Sequence, residues 1–263
     1  MKIGKVERYI NETLDTKGAM LFSLIDPMDY DRPEDAVDVA SESVRGGADV
    51  VLIGGSMGVQ GKALDDITAI IKEKIDVPLV LFPGNIATIT TQADAIYFMS
   101  LLNSRNPYWI TQAQMQAAPV IKGSGIEALP VGYIVVSPGG TVGWIGDANL
   151  VPREKPGIAA ALAIAGEFMG NRIIVTDTGS NPQLQGAGPV PKEIIRAVRA
   201  NIDVPYIVAG GIRTADDATE AYSNGADILQ IGTAFQDEKD VYKRASAISK
   251  AAKEAGAKKR LSR

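Results

Sequence analysis

Cysteine and histidine are both absent from the 263 residues. Without cysteine there are no disulfides and no thiolate chemistry. Without histidine there are no imidazole metal ligands, no Ser-His triad and no histidine general base. Acid–base work therefore falls to Asp, Glu, Lys or Tyr, or to the substrate itself. A basic surplus is also missing: 27 Lys and Arg stand against 31 Asp and Glu, a net charge of −4. No global field draws nucleic acid. The one locally basic run, A-A-K-E-A-G-A-K-K-R-L-S-R at the end, reads as a solvated helix end with its cations at the negative pole of the helix dipole. No apolar run approaches the length of a bilayer span, and no signal peptide precedes the first strand. The expectation is a cytosolic protein.

What the chain does have is apolar material for a large core, 46% of its residues, arranged in short runs. Eight of these read as strands, ending near Ile25, Ile53, Phe82, Phe98, Val136, Val175, Ala209 and Ile231. Several are near-continuous in Val, Ile and Leu, the mark of parallel strands buried on both faces. Helical patterns alternate with them, clearest over residues 33–45, 63–75, 109–122 and 157–169. This predicts a single (β/α)8 TIM barrel over residues 1–263. The connection from Asn85 to Asp94 is too short for a full helix, so a loop is expected in place of the third barrel helix. Two long irregular stretches, 137–156 and 181–191, both follow strands. They fall on the C-terminal face, where barrel active sites are built.

The candidate site is read from the strand ends. Tyr206 to Ala209 is a strand that runs into Gly210 and Gly211, and a helical pattern opens at T-A-D-D-A. One strand later comes a second turn, Gly232-Thr233. Glycines let a ligand lie against backbone N–H groups, and a helix start favours an anion. Two such turns after consecutive strands late in a barrel form the usual phosphate site of the fold. Asp26 and Ser56 follow the first and second strands. They are hard oxygen donors suited to Mg2+, or else a turn cap before Pro27 and a hydroxyl satisfying a glycine turn. Asp177 lies two residues beyond the expected sixth strand, in T-D-T-G-S. It is a candidate for taking a proton from a hydroxyl, or a plain turn aspartate. Gly179 and Ser180 add donors to the same rim.

Several blocks resemble the geranylgeranylglyceryl phosphate synthase family, the archaeal ether-lipid enzymes. They are F-S-L-I-D-P, L-I-G-G-S, L-F-P-G-N, S-L-L-N-S-R-N-P-Y-W, P-G-G-T-V-G-W, V-A-G-G-I-R-T and I-G-T-A. The fourth and fifth are similar to the larger, second group of that family. The resemblance implies a Mg2+-dependent prenyltransferase. It would join the C3 hydroxyl of sn-glycerol 1-phosphate to geranylgeranyl diphosphate and release diphosphate. By the family pattern Asp26 and Ser56 would ligate Mg2+, and Gly210, Gly211, Gly232 and Thr233 would hold the glycerol phosphate. The segment Val175, Thr176, Asp177, Thr178, Gly179, Ser180, Asn181 matches the family's Y-L-E-A-G-S-G, which contacts the glycerol moiety. Asp177 stands where that motif has its glutamate. The segment departs from the motif at Val175 for tyrosine, Thr176 for leucine, Asp177 for glutamate, Thr178 for alanine and Asn181 for glycine.

Tyr97, Phe98, Met99, Tyr108, Trp109 and Trp144 are candidates to line a prenyl groove or to pack in a core or subunit contact. The resemblance also implies a homo-oligomer, dimer or hexamer, and a lipid substrate would fit weak membrane-surface association. Two other readings stand beside it. One is a phosphate-binding barrel isomerase or aldolase. The other is a non-catalytic phosphate-binding barrel, favoured only by the altered T-D-T-G-S segment.

Overall fold

A computed structural model describes residues 2–236 and 238–261. Eight parallel strands close into a barrel in sequence order, each bonded to the next and β8 back to β1. They are β1 Met20–Ile25, β2 Val50–Gly54, β3 Leu79–Phe82, β4 Ala95–Leu101, β5 Glu127–Val135, β6 Ile173–Asp177, β7 Tyr206–Ala209 and β8 Ile228–Ile231. The TIM barrel expected from the alternation is the fold found.

The helices are α1 Lys5–Lys17, α2 Pro33–Arg45, α3 Gly61–Lys74, α4 Ala113–Ser124, α5 Gly140–Ile145, α6 Pro156–Phe168, α7 Lys192–Arg199, α8 Ala215–Ser223, α9 Thr233–Gln236 and α10 Val241–Leu261. The connection between β3 and β4 holds no helix, as its length required. The stretch 137–156 contains the short α5, which the sequence reading left irregular. A wide helical turn, Tyr108–Gln112, leads into α4. Among the described residues no helix is long and apolar enough to cross a membrane.

Strand parity separates two kinds of core. Phe22, Leu52, Val80, Tyr97, Tyr133, Val175 and Ile207 point inward and pack on one another along the barrel axis. Their sequence neighbours, such as Val51, Ile134, Ile174 and Val208, point outward and pack under the helices. Both sets are buried, which is why the strands read as continuous apolar runs.

The end opposite the strand C-termini is fixed by a repeated device. Asp49 precedes β2, and its carboxylate accepts Leu21 N–H of β1 at 2.9 Å. Asp94 precedes β4 and accepts Leu79 N–H of β3 at 2.9 Å. Asp227 precedes β8 and accepts Tyr206 N–H of β7 at 3.0 Å. Each carboxylate therefore pins the first or second amide of the preceding strand and ties that pair together at its base. Each also carries a cation: Lys17, Lys72, and Arg199 with Lys259. Glu127 opens β5 and accepts Val6 and Glu7 N–H at the start of α1, which holds that helix across the barrel base. The basic end of α10 is more than a solvated helix end. Lys259 reaches the Ala226 carbonyl and Asp227, and Arg260 reaches the Thr16 carbonyl.

Asp227→Ala removes the acceptor of a strand amide and the shared carboxylate of two cations, which keep only backbone carbonyls. Such a loss costs about 2–4 kcal/mol. Urea unfolding of this variant should show that drop. Asp66→Ala, which breaks only the exposed pair with Lys62, should change the midpoint far less.

Candidate active site

Asp177 is the last residue of β6 rather than a residue of the following loop. The strand extends two residues further than its apolar run because Thr176 and Asp177 still pair with Val208 and Ala209 of β7. Inward parity aims the Asp177 side chain at the top of the barrel lumen. There Gly179 N–H donates to its Oδ1 at 2.6 Å, and the Tyr133 hydroxyl donates to its Oδ2. Burial raises the Asp177 pKa above the usual carboxylate range, and these two hydrogen bonds oppose the rise. Tyr133 is buried, and its phenol is held well above its ordinary pKa by burial and by the Asp177 charge, so it acts as a donor. Tyr133 pairs in register with Val175. The phenol that position 175 lacks is thus supplied from the next strand.

The glycine turns are shaped around this carboxylate. Gly210 has φ +82°, and a Cβ there would lie 2.5 Å from Asp177 Oδ1 and 2.6 Å from Thr178 Oγ1. Gly211 has φ +75° and lies against Pro182 and Pro189 of the long loop after β6. That loop is tied to the turn by Gln183, which donates to the Gly211 carbonyl at 2.7 Å, and by Asn181, which accepts from Arg213 at 2.8 Å. Arg153 straps the same loop to the stretch after β5, donating to the carbonyls of Ser137, Gly188 and Pro189.

Asp26 does cap the turn, the alternative weighed for it beside a metal ligand: its Oδ1 accepts Met28 N–H at 3.1 Å. Its Oδ2 lies so close to Gly55 that a Cβ there would meet it at 1.7 Å. Burial, with the nearby Asp29 charge, raises its pKa to about 6. Ser56 follows in the same turn.

The strand ends and glycine turns open into one bowl. It takes in Asp26, Ser56, Asp177, Gly179, Ser180, Asn181, Gly210, Gly211, Gly232 and Thr233. Three residues of the motif segment do not reach it. Val175 is buried in the barrel interior below Asp177. Thr176 points outward and shares a 2.7 Å hydrogen bond with the Tyr206 hydroxyl. Thr178 is buried beside Gly210, and its hydroxyl has no hydrogen-bond partner. The side chains of Val175, Thr176 and Thr178 are therefore supports behind the bowl.

A second, apolar groove adjoins the bowl, and the two share Gly55, Ser56, Phe82, Tyr133 and Val142. Tyr97, Phe98, Met99 and Trp109 line it, with the loop 83–89 and one face of α4. Tyr108 does not; it packs edge-on against Trp109 at 4.9 Å. Trp144 lies outside the groove and is 86% exposed. The sequence reading passed over Tyr133 and Gln230 in the bowl. The signal was present: each is a polar-tipped residue at an inward position of an otherwise apolar strand.

The described residues contain no cluster of three or more acidic side chains able to hold a metal unaided. The donors at the first two strand ends are one carboxylate and one hydroxyl. Hard oxygens in that number suit Mg2+, which takes most of its ligands from water and substrate phosphates.

Fold and bowl together define a (β/α)8-barrel enzyme with its site on the C-terminal face. The PcrB family model matches residues 14–252. The geranylgeranylglyceryl phosphate synthase of Pyrococcus abyssi is 48% identical, over 92% of this chain and 94% of its own length. That of Methanothermobacter marburgensis is 48% identical over 90% and 94%. The (S)-3-O-geranylgeranylglyceryl phosphate synthase of Thermoplasma acidophilum, solved in complex with substrate sn-glycerol-1-phosphate, aligns at a TM-score of 0.89. It is 33% identical, over 96% of this chain and 100% of that one. The chain belongs to the PcrB family, that of the geranylgeranylglyceryl phosphate synthases.

The raised pKa of Asp26 has a thermodynamic consequence. A carboxyl whose folded pKa lies above its unfolded value favours folding most at low pH, and that advantage is lost as pH rises from about 4 through about 6. Asp26→Asn removes the penalty. Without divalent metal the variant should exceed wild type in stability at pH 8 by roughly 1–2 kcal/mol, after allowing for solvent screening of the exposed part. The difference should close by pH 4. Urea titrations at the two pH values measure it.

Proposed function

We propose that this chain transfers a geranylgeranyl group from its diphosphate to the C3 hydroxyl of sn-glycerol 1-phosphate. The observation that carries this reading is the continuity of two unlike cavities. A polar bowl with two glycine turns and the carboxylates of Asp26, Asp29 and Asp177 runs directly into an apolar groove, and Ser56 and Phe82 lie on the boundary. One substrate is a small phosphorylated alcohol and the other a long hydrocarbon with a charged head. Their reacting ends meet where the cavities meet.

The phosphate of the acceptor rests on the N–H groups around Gly210, Gly211, Gly232 and Thr233, at the starts of α8 and α9. Its glycerol moiety then points down toward Asp177. The reaction forms the bond between the C3 oxygen and the allylic carbon and breaks the bond between that carbon and the diphosphate. The hydroxyl proton goes to Asp177. Burial makes this carboxylate a better proton acceptor than one in water, and Tyr133 and Gly179 fix its direction. Asp has one methylene fewer than Glu, and its place in the strand itself brings the carboxylate inward. Asp26 and Ser56 would hold Mg2+ at the mouth of the groove, and when bound it neutralises charge gathering on the diphosphate. Tyr97, Phe98, Met99 and Trp109 exclude water from the prenyl chain and fix its allylic end, contributing rate through orientation.

No lysine is among the described residues of the bowl, so a Schiff-base aldolase has no nucleophile here. A labelled-acceptor assay with geranylgeranyl diphosphate should give a prenyl ether only when Mg2+ is supplied. Absence of that product at every Mg2+ concentration would falsify the assignment. Asp177→Asn should lower turnover by about 10²–10⁴-fold, with sn-glycerol 1-phosphate binding retained by calorimetry. Wild-type turnover in that variant would remove Asp177 as the base.

A further inference from the structure

Gln230 is a buried amide in a strand whose other members are apolar. It is 3% exposed, yet it forms part of the bowl. Its Oε1 accepts from the Tyr97 hydroxyl across the lumen at 3.5 Å. Its Nε2 donates to no described residue. This donor is open to the bowl, where a hydroxyl of a bound ligand can take the place of water on it.

Register places this amide. Asp177 pairs with Ala209, and Ala209 pairs with Gln230. Partners on neighbouring parallel strands point to the same side, so all three face the lumen in one row. Strands lie about 4.8 Å apart, which puts the two polar residues two strands apart with only a methyl group between them. Ala209 thus leaves a notch with a carboxylate on one wall and an amide on the other. The notch lies directly beneath both glycine turns, because Gly210 follows Ala209 and Gly232 lies two residues beyond Gln230. A phosphorylated three-carbon polyol hung from those turns descends into it.

We infer that Gln230 is a specificity-determining residue: its Nε2 donates to the C2 hydroxyl of the acceptor while Asp177 takes the C3 hydroxyl. This rests on the prenyltransferase reading and goes beyond it, by assigning a residue to the hydroxyl that does not react. Holding both hydroxyls on opposite walls fixes the handedness of C2 relative to the phosphate. The other enantiomer, with phosphate and C3 in place, would present a hydrogen to the amide and leave Nε2 unmet. Sites built to bond a hydroxyl reject analogues lacking it, because their own polar group is stranded.

The test compares kcat/KM for three acceptors: sn-glycerol 1-phosphate, its enantiomer, and 3-hydroxypropyl phosphate, which lacks the C2 hydroxyl. Wild type should prefer the first over the third by about 10–100-fold, the usual range for one buried hydrogen bond. In Gln230→Met, of similar length and unable to donate, that ratio should fall toward one. The enantiomer preference should shrink with it, while KM for the prenyl diphosphate stays put. Equal wild-type efficiency with and without the C2 hydroxyl overturns the inference without any variant. So does an unchanged ratio in Gln230→Met, since a merely structural amide would lower all three efficiencies alike. If wild type makes no prenyl ether from any acceptor, the failure lies with the reaction itself.

Discussion

A carboxylate turned into the lumen of a barrel must be satisfied by the barrel or it will not stay ionised. At Asp177 two donors meet that need, the Tyr133 phenol from below and the Gly179 amide from above. The rest of the bowl follows from keeping both. Tyr133 has to reach across from β5, so position 175 between them carries a compact valine. Gly179 has to turn its N–H back, so it takes φ +82° and packs on Gly139. Gly210 must lack a side chain, because any Cβ would fall on the carboxylate. The glycine turn proposed to hold an anion and the acid proposed to take a proton are therefore one construction.

The two ends of the barrel divide the labour. At the base, Asp49, Asp94 and Asp227 each carry a cation and a strand amide, so charge is spent on register. At the mouth, Asp26 and Asp177 are bonded by backbone amides and a phenol and by no cation among the described residues, and burial raises the pKa of both. Acids at the base stabilise the fold, whereas acids at the mouth are held at a cost that only a substrate or its counter-ion offsets.

Much of this was legible from the chain. Strand 7 was read to the residue, and α2 likewise, because β-branched runs and a Pro-to-Gly bounded helix are local signals. The missing helix after β3 followed from chain length alone. The parts that were not legible depend on parity and register. Asp177 was read as a loop residue because Thr176 and Asp177 are polar, and only pairing with β7 keeps them in the strand. Val175, Thr176 and Thr178 were grouped with the site because they adjoin Asp177 in sequence, yet alternate residues of a strand face opposite ways. Tyr133 and Gln230 were passed over because nothing local says which strands face each other across a closed sheet.

The loop that stands in for a helix after β3 changes the shape of the wall there. A complete ring of helices would place a helix behind the apolar groove on that side. Here residues 83–89 and one face of α4 form that wall instead. On the proposed reading, the hydrocarbon tail rests on this wall against turns rather than against a helix, so its width there is set by short-range chain geometry rather than by helix packing.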